Sequence, residues 1–151
     1  MCDLTAGRKE PTCKTIGGLK AFYKFESYVS GLLDSATFAT DEEITAFAAP
    51  ITLYKYELRG GTHNFDDAGE SSAENGTVFY SQSATFVLKK QDKATRKELG
   101  LLGKSHSQVI VEDYNGNFKL AGIENGCDVS VASATGAAMG DANGYTLTFG
   151  S

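Results

Sequence analysis

At 151 residues, 41% of them hydrophobic and 22% charged, the chain is long enough for one ordinary globular domain and too short to expect two. Its 17 Gly against 2 Pro, with 11% aromatics and no Trp, point to tight turns between short strands rather than long helices, so the expected class is mainly β. A net charge of −5 argues against nucleic-acid affinity through counterion release, which needs Lys and Arg clustered on one face.

Residues 1–18 mix charges, Pro11 and a closing Gly17-Gly18 without a sustained period, and are expected to form an irregular arm. Met1 to Thr5 carries no basic stretch followed by an apolar run, and no segment is long enough to cross a bilayer; a soluble protein without a signal peptide is expected. Three cysteines, Cys2, Cys13 and Cys127, make an odd number without a Cys-x-x-Cys pair, which favours free thiols in a reducing compartment. With His63 and His106 they match no zinc spacing, so no metal or cofactor is expected.

Leu19 to Phe25 alternates as a strand, with Leu19, Ala21, Tyr23 and Phe25 on the core face and Lys20, Phe22 and Lys24 on a half-wet one. Thr40-Asp41-Glu42-Glu43 fits a helix capping box, yet Ile44 to Phe47 can equally pair as a strand; Thr40–Ala49 stays open between the two. Ile51 to Leu58 is a firmer strand, with Tyr54, Tyr56 and Leu58 sharing a face. Arg59 to Gly76 is the most polar stretch, acidic and rich in small residues. Its composition predicts a long exposed loop or hairpin and a contact region, while Asp66-Asp67 lacks a calcium-loop pattern.

Thr77 to Lys90 alternates throughout, with Val78, Tyr80, Ala84, Phe86 and Leu88 in one register and Thr77, Ser81, Ser83 and Thr85 in the other. Asp92 can cap a helix to Leu102 whose Thr95, Leu99 and Leu102 share a face, with Gly103 expected in the left-handed conformation at its end. Val109 and Val111, then Asn115-Gly116, then Phe118 and Leu120 predict a hairpin with a type I′ turn, and a turn at Glu124-Asn125-Gly126 would extend it into a three-strand meander through Cys127 to Val131. Ala132 to Asn143 cannot build a core, and its glycines lack the Gly-Lys-Ser/Thr ending of a phosphate loop. Gly144 to Phe149 closes as a strand with Tyr145, Leu147 and Phe149 in one register.

No Gly-x-Ser-x-Gly, His-Glu-x-x-His or comparable constellation is present, so an enzyme is not expected and no catalytic, cofactor or metal residue is assigned. Three stretches, TVFYSQSATFVLKKQDKATRKELGLL, QVIVEDYNGNFKLAGIENGCDV and ATGAAMGDANGYTLTF, resemble in their order small virion proteins of Bacteroidetes-type phages and prophages. Through them the chain, over roughly Tyr54 to Phe149, is similar to the tail tube proteins of long-tailed bacteriophages; Cys2 to Thr5 through Cys13-Lys14 also looks like that group.

The resemblance implies a β-sandwich or half-barrel with a flanking helix at Asp92–Leu102 and a long polar loop at 59–76 that reaches a neighbouring subunit through Arg59, His63 and Phe65. Such subunits form hexameric rings that stack into a tube for DNA. The partners would be further copies of the chain and the tape-measure, terminator and baseplate or tail-tip proteins, without a membrane. DNA would pass in transit only, in virions assembled in the host cytoplasm. The chain stops at Gly150-Ser151 where the relatives run on, which puts a C-terminal arm between rings in doubt. An acidic lumen would repel DNA, and Asp66, Asp67, Glu70 and Glu74, beside Ser81, Ser83 and Thr85, are its expected lining. The competing classes are another ring-forming or decorating virion protein (terminator, connector or capsid decoration) and a β-sandwich binding module.

Overall fold

A computed structural model of the chain describes residues 3–30, 36–38, 44–47, 51–59 and 62–151. Two four-stranded antiparallel sheets face one another. The first has the order β4 (Leu53–Glu57), β1 (Leu19–Phe25), β7 (Val109–Asp113), β8 (Phe118–Ala121). The second runs β5 (Asn64–Ser72), β6 (Thr77–Lys89), β10 (Gly144–Gly150), β9 (Asp128–Ala134). A separate pair joins β2 (Ala36–Phe38) to β3 (Ile44–Phe47), which resolves Ile44–Phe47 as strand; the cap at Thr40–Glu43 lies outside the described residues. The architecture is a β-sandwich with one flanking helix, α1 (Lys93–Leu102), and it does not close into a barrel.

Aromatic side chains join the sheets. Phe22 of β1 stacks on Phe86 of β6 with ring centroids 4.3 Å apart, and meets Phe149 of β10 edge-on at 5.5 Å. Val109, Val111, Ala84 and Leu147 fill the space around them. Truncating a buried Phe at such a position costs about 3–5 kcal/mol, so these contacts set the orientation of one sheet on the other.

The face of β1 differs from the expected one. Its pairing with β7 shifts register between Leu19 and Ala21, and this bulge puts Leu19 and Phe22, not Leu19 and Ala21, into the shared core. Ala21 and Phe25 are nevertheless buried, so the strand is covered on both faces.

Helix α1 starts as expected: the Asp92 carboxylate accepts from the Thr95 amide at 2.6 Å, and Leu99 and Leu102 are buried against the core. Gly103 ends it in the right-handed region (φ −65°), not the left-handed one, because the last turn tightens and the Lys104 and Ser105 amides bond back three residues to the Leu101 and Leu102 carbonyls. The left-handed residue near this helix is Lys90 (φ 64°), which turns the chain out of β6.

Two turn expectations are also corrected. The β7–β8 connection has four residues, Tyr114 to Asn117, with only Gly116 at positive φ (82°); it is a type I turn closed by a left-handed Gly, and the Asp113 carboxylate accepts from the Asn115 and Asn117 amides. The meander does not form. After β8 the chain turns a corner at Gly122 (φ 71°) and Gly126 (φ 72°), and β9 joins the opposite sheet beside β10. Gly126 lies so close to the His106 carbonyl that a Cβ would overlap it, so the corner requires glycine.

Candidate functional site: the open face and projecting hairpin of the second sheet

The polar stretch 59–76 is mostly strand rather than loop. β5 pairs with β6 over its whole length, from Asn64 opposite Thr85 to Ser72 opposite Thr77, and only residues 73–76 form the turn, closed by Gly76 at φ 65°. Poor β-formers such as Asp66, Asp67, Gly69 and Glu70 become a strand because β6, rich in aromatic and β-branched residues, supplies the ladder.

The base of this hairpin is locked inside the protein. His63, expected at an exposed contact loop, is 5% exposed: its Nδ1 accepts the Val87 amide at 3.1 Å and its Nε2 lies 3.1 Å from the Arg59 carbonyl oxygen. A backbone N–H can only donate, so the ring is neutral with its proton on Nε2, donating to Arg59. Phe65 packs on the core edge and Arg59 is exposed. Of the three residues assigned to neighbour contacts, Arg59 alone is thus fully available.

Further along, the hairpin leaves the sandwich. β10 covers β6 only from Ser83 to Lys89, so Thr77–Gln82 pairs with β5 alone. Gln82 marks the limit of the interior, where its side-chain oxygen accepts the Gly122 amide at 3.0 Å. Beyond it Val78, Phe79 and Tyr80 are 67%, 55% and 71% exposed. The Tyr80 ring lies over Gly69, where a Cβ would come within 2.8 Å of it, which gives this ribbon local support.

Residues directly opposite in an antiparallel pair share a face. Because Ala84 and Phe86 point inward, Asp66, Ala68 and Glu70 of β5 and Ser81, Ser83 and Thr85 of β6 share the outward face. The same face continues through Thr146 and Thr148 of β10 and Asp128 and Ser130 of β9. Five of the seven residues expected to line a lumen, Asp66, Glu70, Ser81, Ser83 and Thr85, therefore lie together. Asp67, one residue out of phase, faces the other way beside Gln82, and Glu74 lies in the turn. Lys89 stands at the far end of the outward face.

The opposite end of the first sheet holds polar groups that the sequence did not mark. Lys24 is 3% exposed, donates to the Ser107 carbonyl at 2.7 Å and lies 5.4 Å from the centre of the Phe149 ring. Burial lowers its ammonium from 10.5 to about 8, against the opposing pull of Cys127 and Asp128; the same burial pushes the Cys127 thiol up. Gln108, fully buried, donates to the Val29 and Ile123 carbonyls and ties the end of β1 to the corner. Every one of these bonds is structural.

Among the described residues no three His, Cys, Asp or Glu side chains gather as a metal site, and no helix is long and apolar enough to cross a membrane. Cys13 and Cys127 are free, and Cys2 lies outside the described residues. Compared with protein-family models, with curated proteins and with solved structures, the chain matches none.

Proposed function

We propose that this chain is a self-assembling structural protein of a bacteriophage virion, a tail tube subunit whose copies form stacked, six-membered rings around a DNA passage. The reading begins from the sequence resemblance. The observation that carries it further is the outward face of the second sheet, where Asp66, Glu70, Ser81, Ser83, Thr85, Ser130, Thr146 and Thr148 form a mainly hydroxyl and carboxylate surface, with Phe79 and Val87 as its apolar members.

A wall of this kind suits passage rather than binding. Carboxylates repel phosphates, and short hydroxyls hold water without reaching into a groove, so along most of this face a moving duplex would meet no cation, Lys89 standing only at its far end. Among the described residues the β5 and β9 edges of this sheet have no neighbouring strand, and edge pairing between copies would extend the face around a ring. In this reading the partners are further copies, then tape-measure, terminator and baseplate or tail-tip proteins, and the location is the virion tail.

Negative-stain microscopy with sedimentation velocity on the purified chain tests this. Rings that stack into tubes are expected. Single closed rings would move the assignment to a terminator or connector, and a monomer at every concentration would leave the binding-module class.

A further inference from the structure

The hairpin and the opposite end of its own strand carry opposite charge. Between Arg59 and Lys89 the sequence holds Asp66, Asp67, Glu70 and Glu74 and no Lys or Arg, whereas Lys89 to Lys97 holds five bases against Asp92 alone. The structure turns that segregation into two surfaces. At the end of β6 a cleft of about 760 Å³ opens between β4, β6 and the start of α1; Lys55, Arg59, Lys89 and Lys90 line it against Glu57 and Asp92, a net excess of two bases, with Tyr56 and Leu88 as apolar contacts. Neither set is neutralised internally, since among the described residues the one ion pair joins Lys20 to Glu112.

The two surfaces cannot meet within one molecule. Asp67 lies opposite Gln82, seven residues before Lys89, and Glu74 lies in the turn beyond Thr77, which at ~3.3 Å per residue puts them about 20 Å and about 40 Å from Lys89. Meanwhile the projecting ribbon exposes Val78 and Tyr80 on one face and Phe79 on the other, and an isolated two-stranded ribbon is marginal in water. We infer that the β5–β6 hairpin tip of one copy seats in the basic cleft of a second copy, Asp67 and Glu74 against Arg59, Lys89 and Lys90, with Val78 and Tyr80, on the same face as Asp67, against Tyr56 and Leu88.

Charge favours the cleft over a second groove, of about 240 Å³ beside Tyr54 and Leu101, where Glu26 and Glu98 outnumber Lys24. A contact between two different surfaces is heterologous and propagates head to tail, closing as a ring or running on as a filament. The inference rests on the self-assembly reading and adds to it the two surfaces and their polarity.

Charge reversal in two variants tests it. One carries Asp67→Lys and Glu74→Lys; the other carries Arg59→Glu and Lys89→Glu. Each alone opposes like charges, and assembly by sedimentation velocity should weaken more than about tenfold. An equimolar mixture restores both contacts, because the reversed hairpin fits the reversed cleft and the native hairpin fits the native cleft; it should assemble as the native chain does. Circular dichroism checks that both variants are folded. The native chain supplies a second measurement: its assembly should weaken from about 0.1 M to about 1 M salt, as the screening length falls from about 10 Å to about 3 Å. A variant that assembles alone like the native chain, a mixture that stays apart, or salt-independent assembly would overturn the hairpin contact and leave self-assembly standing. A native chain that is monomeric throughout would remove both.

Discussion

Lys24 offers the most direct test of the interior. Its ammonium is lowered from 10.5 to about 8 by burial, so the folded protein releases a proton that the unfolded chain holds until higher pH. A cation whose folded value is depressed makes stability rise with pH across that window, from about 8 towards 10.5. Linkage puts the rise at about 2.5 kcal/mol between pH 7 and pH 10, out of about 3 kcal/mol for the whole displacement. The native chain alone would not show it cleanly, because burial raises the Cys127 thiol and that group loses stability as pH climbs past its unfolded value. The comparison is therefore Lys24→Met, which removes the charge and keeps an unbranched side chain, with both proteins carrying Cys127→Ala because the Lys24 charge also shifts that thiol. At pH 7 the variant loses the bond to Ser107, about 1.5–3 kcal/mol, and the contact with Phe149, about 1 kcal/mol, but is relieved of the buried charge. The two should nearly cancel. Urea unfolding of both proteins from pH 7 to 10 should then show the one that keeps Lys24 gaining on the other by about 2.5 kcal/mol. Parallel stability profiles would mean that the ammonium is solvated, and that the packing of β1 on β10 described above is wrong.

The corner at Gly126 and the two described thiols give independent checks. Gly126→Ala combines a left-handed φ with overlap on the His106 carbonyl and should cost about 3 kcal/mol or more in chemical denaturation; Gly116→Ala, at a similar φ but in open space, should cost only about 1–2 kcal/mol. Equal costs would remove the packing argument for the corner. Native-state alkylation followed by peptide mapping should modify Cys13, which is exposed, and spare Cys127, 2% exposed, until the protein unfolds. Prompt modification of Cys127 in the folded protein would contradict its place in the core.

Local patterns in the sequence carried the strands and the helix well. The alternation of Tyr145, Leu147 and Phe149 matches three buried positions in β10, and Asp92 caps α1 through the Thr95 amide as its spacing implied. What local pattern could not carry was partner choice. Asn115-Gly116 and Glu124-Asn125-Gly126 look like equivalent turn signals, yet the first joins neighbouring strands and the second sends the chain to the other sheet. That difference arises at Gly126, whose close approach to His106 depends on a segment 20 residues earlier. Lys24 escaped for a related reason: alternation placed it opposite Tyr23, but only the second sheet, through Phe149, covers it.

The site shows the same division between what alternation reports and what it omits. A period of two tells which residues share a face, and on that count Asp66, Glu70, Ser81, Ser83 and Thr85 were correctly grouped, while Asp67 had to fall on the other side. Alternation is silent on how far a second layer extends. Val78 and Tyr80 repeat the pattern of Ala84 and Phe86, but the covering strand β10 pairs only as far as Ser83, so the same pattern is core at one end of β6 and exposed at the other. The exposed end shares its strand with a polar, acidic partner, and this determines what can cover it. The carboxylates nearest this end, Asp67 beside Gln82 and Glu74 in the turn, lie about 20 Å or more along the strand from Lys89. In the proposed assembly, covering Val78 and Tyr80 by another copy would satisfy the apolar and the charged requirements at once.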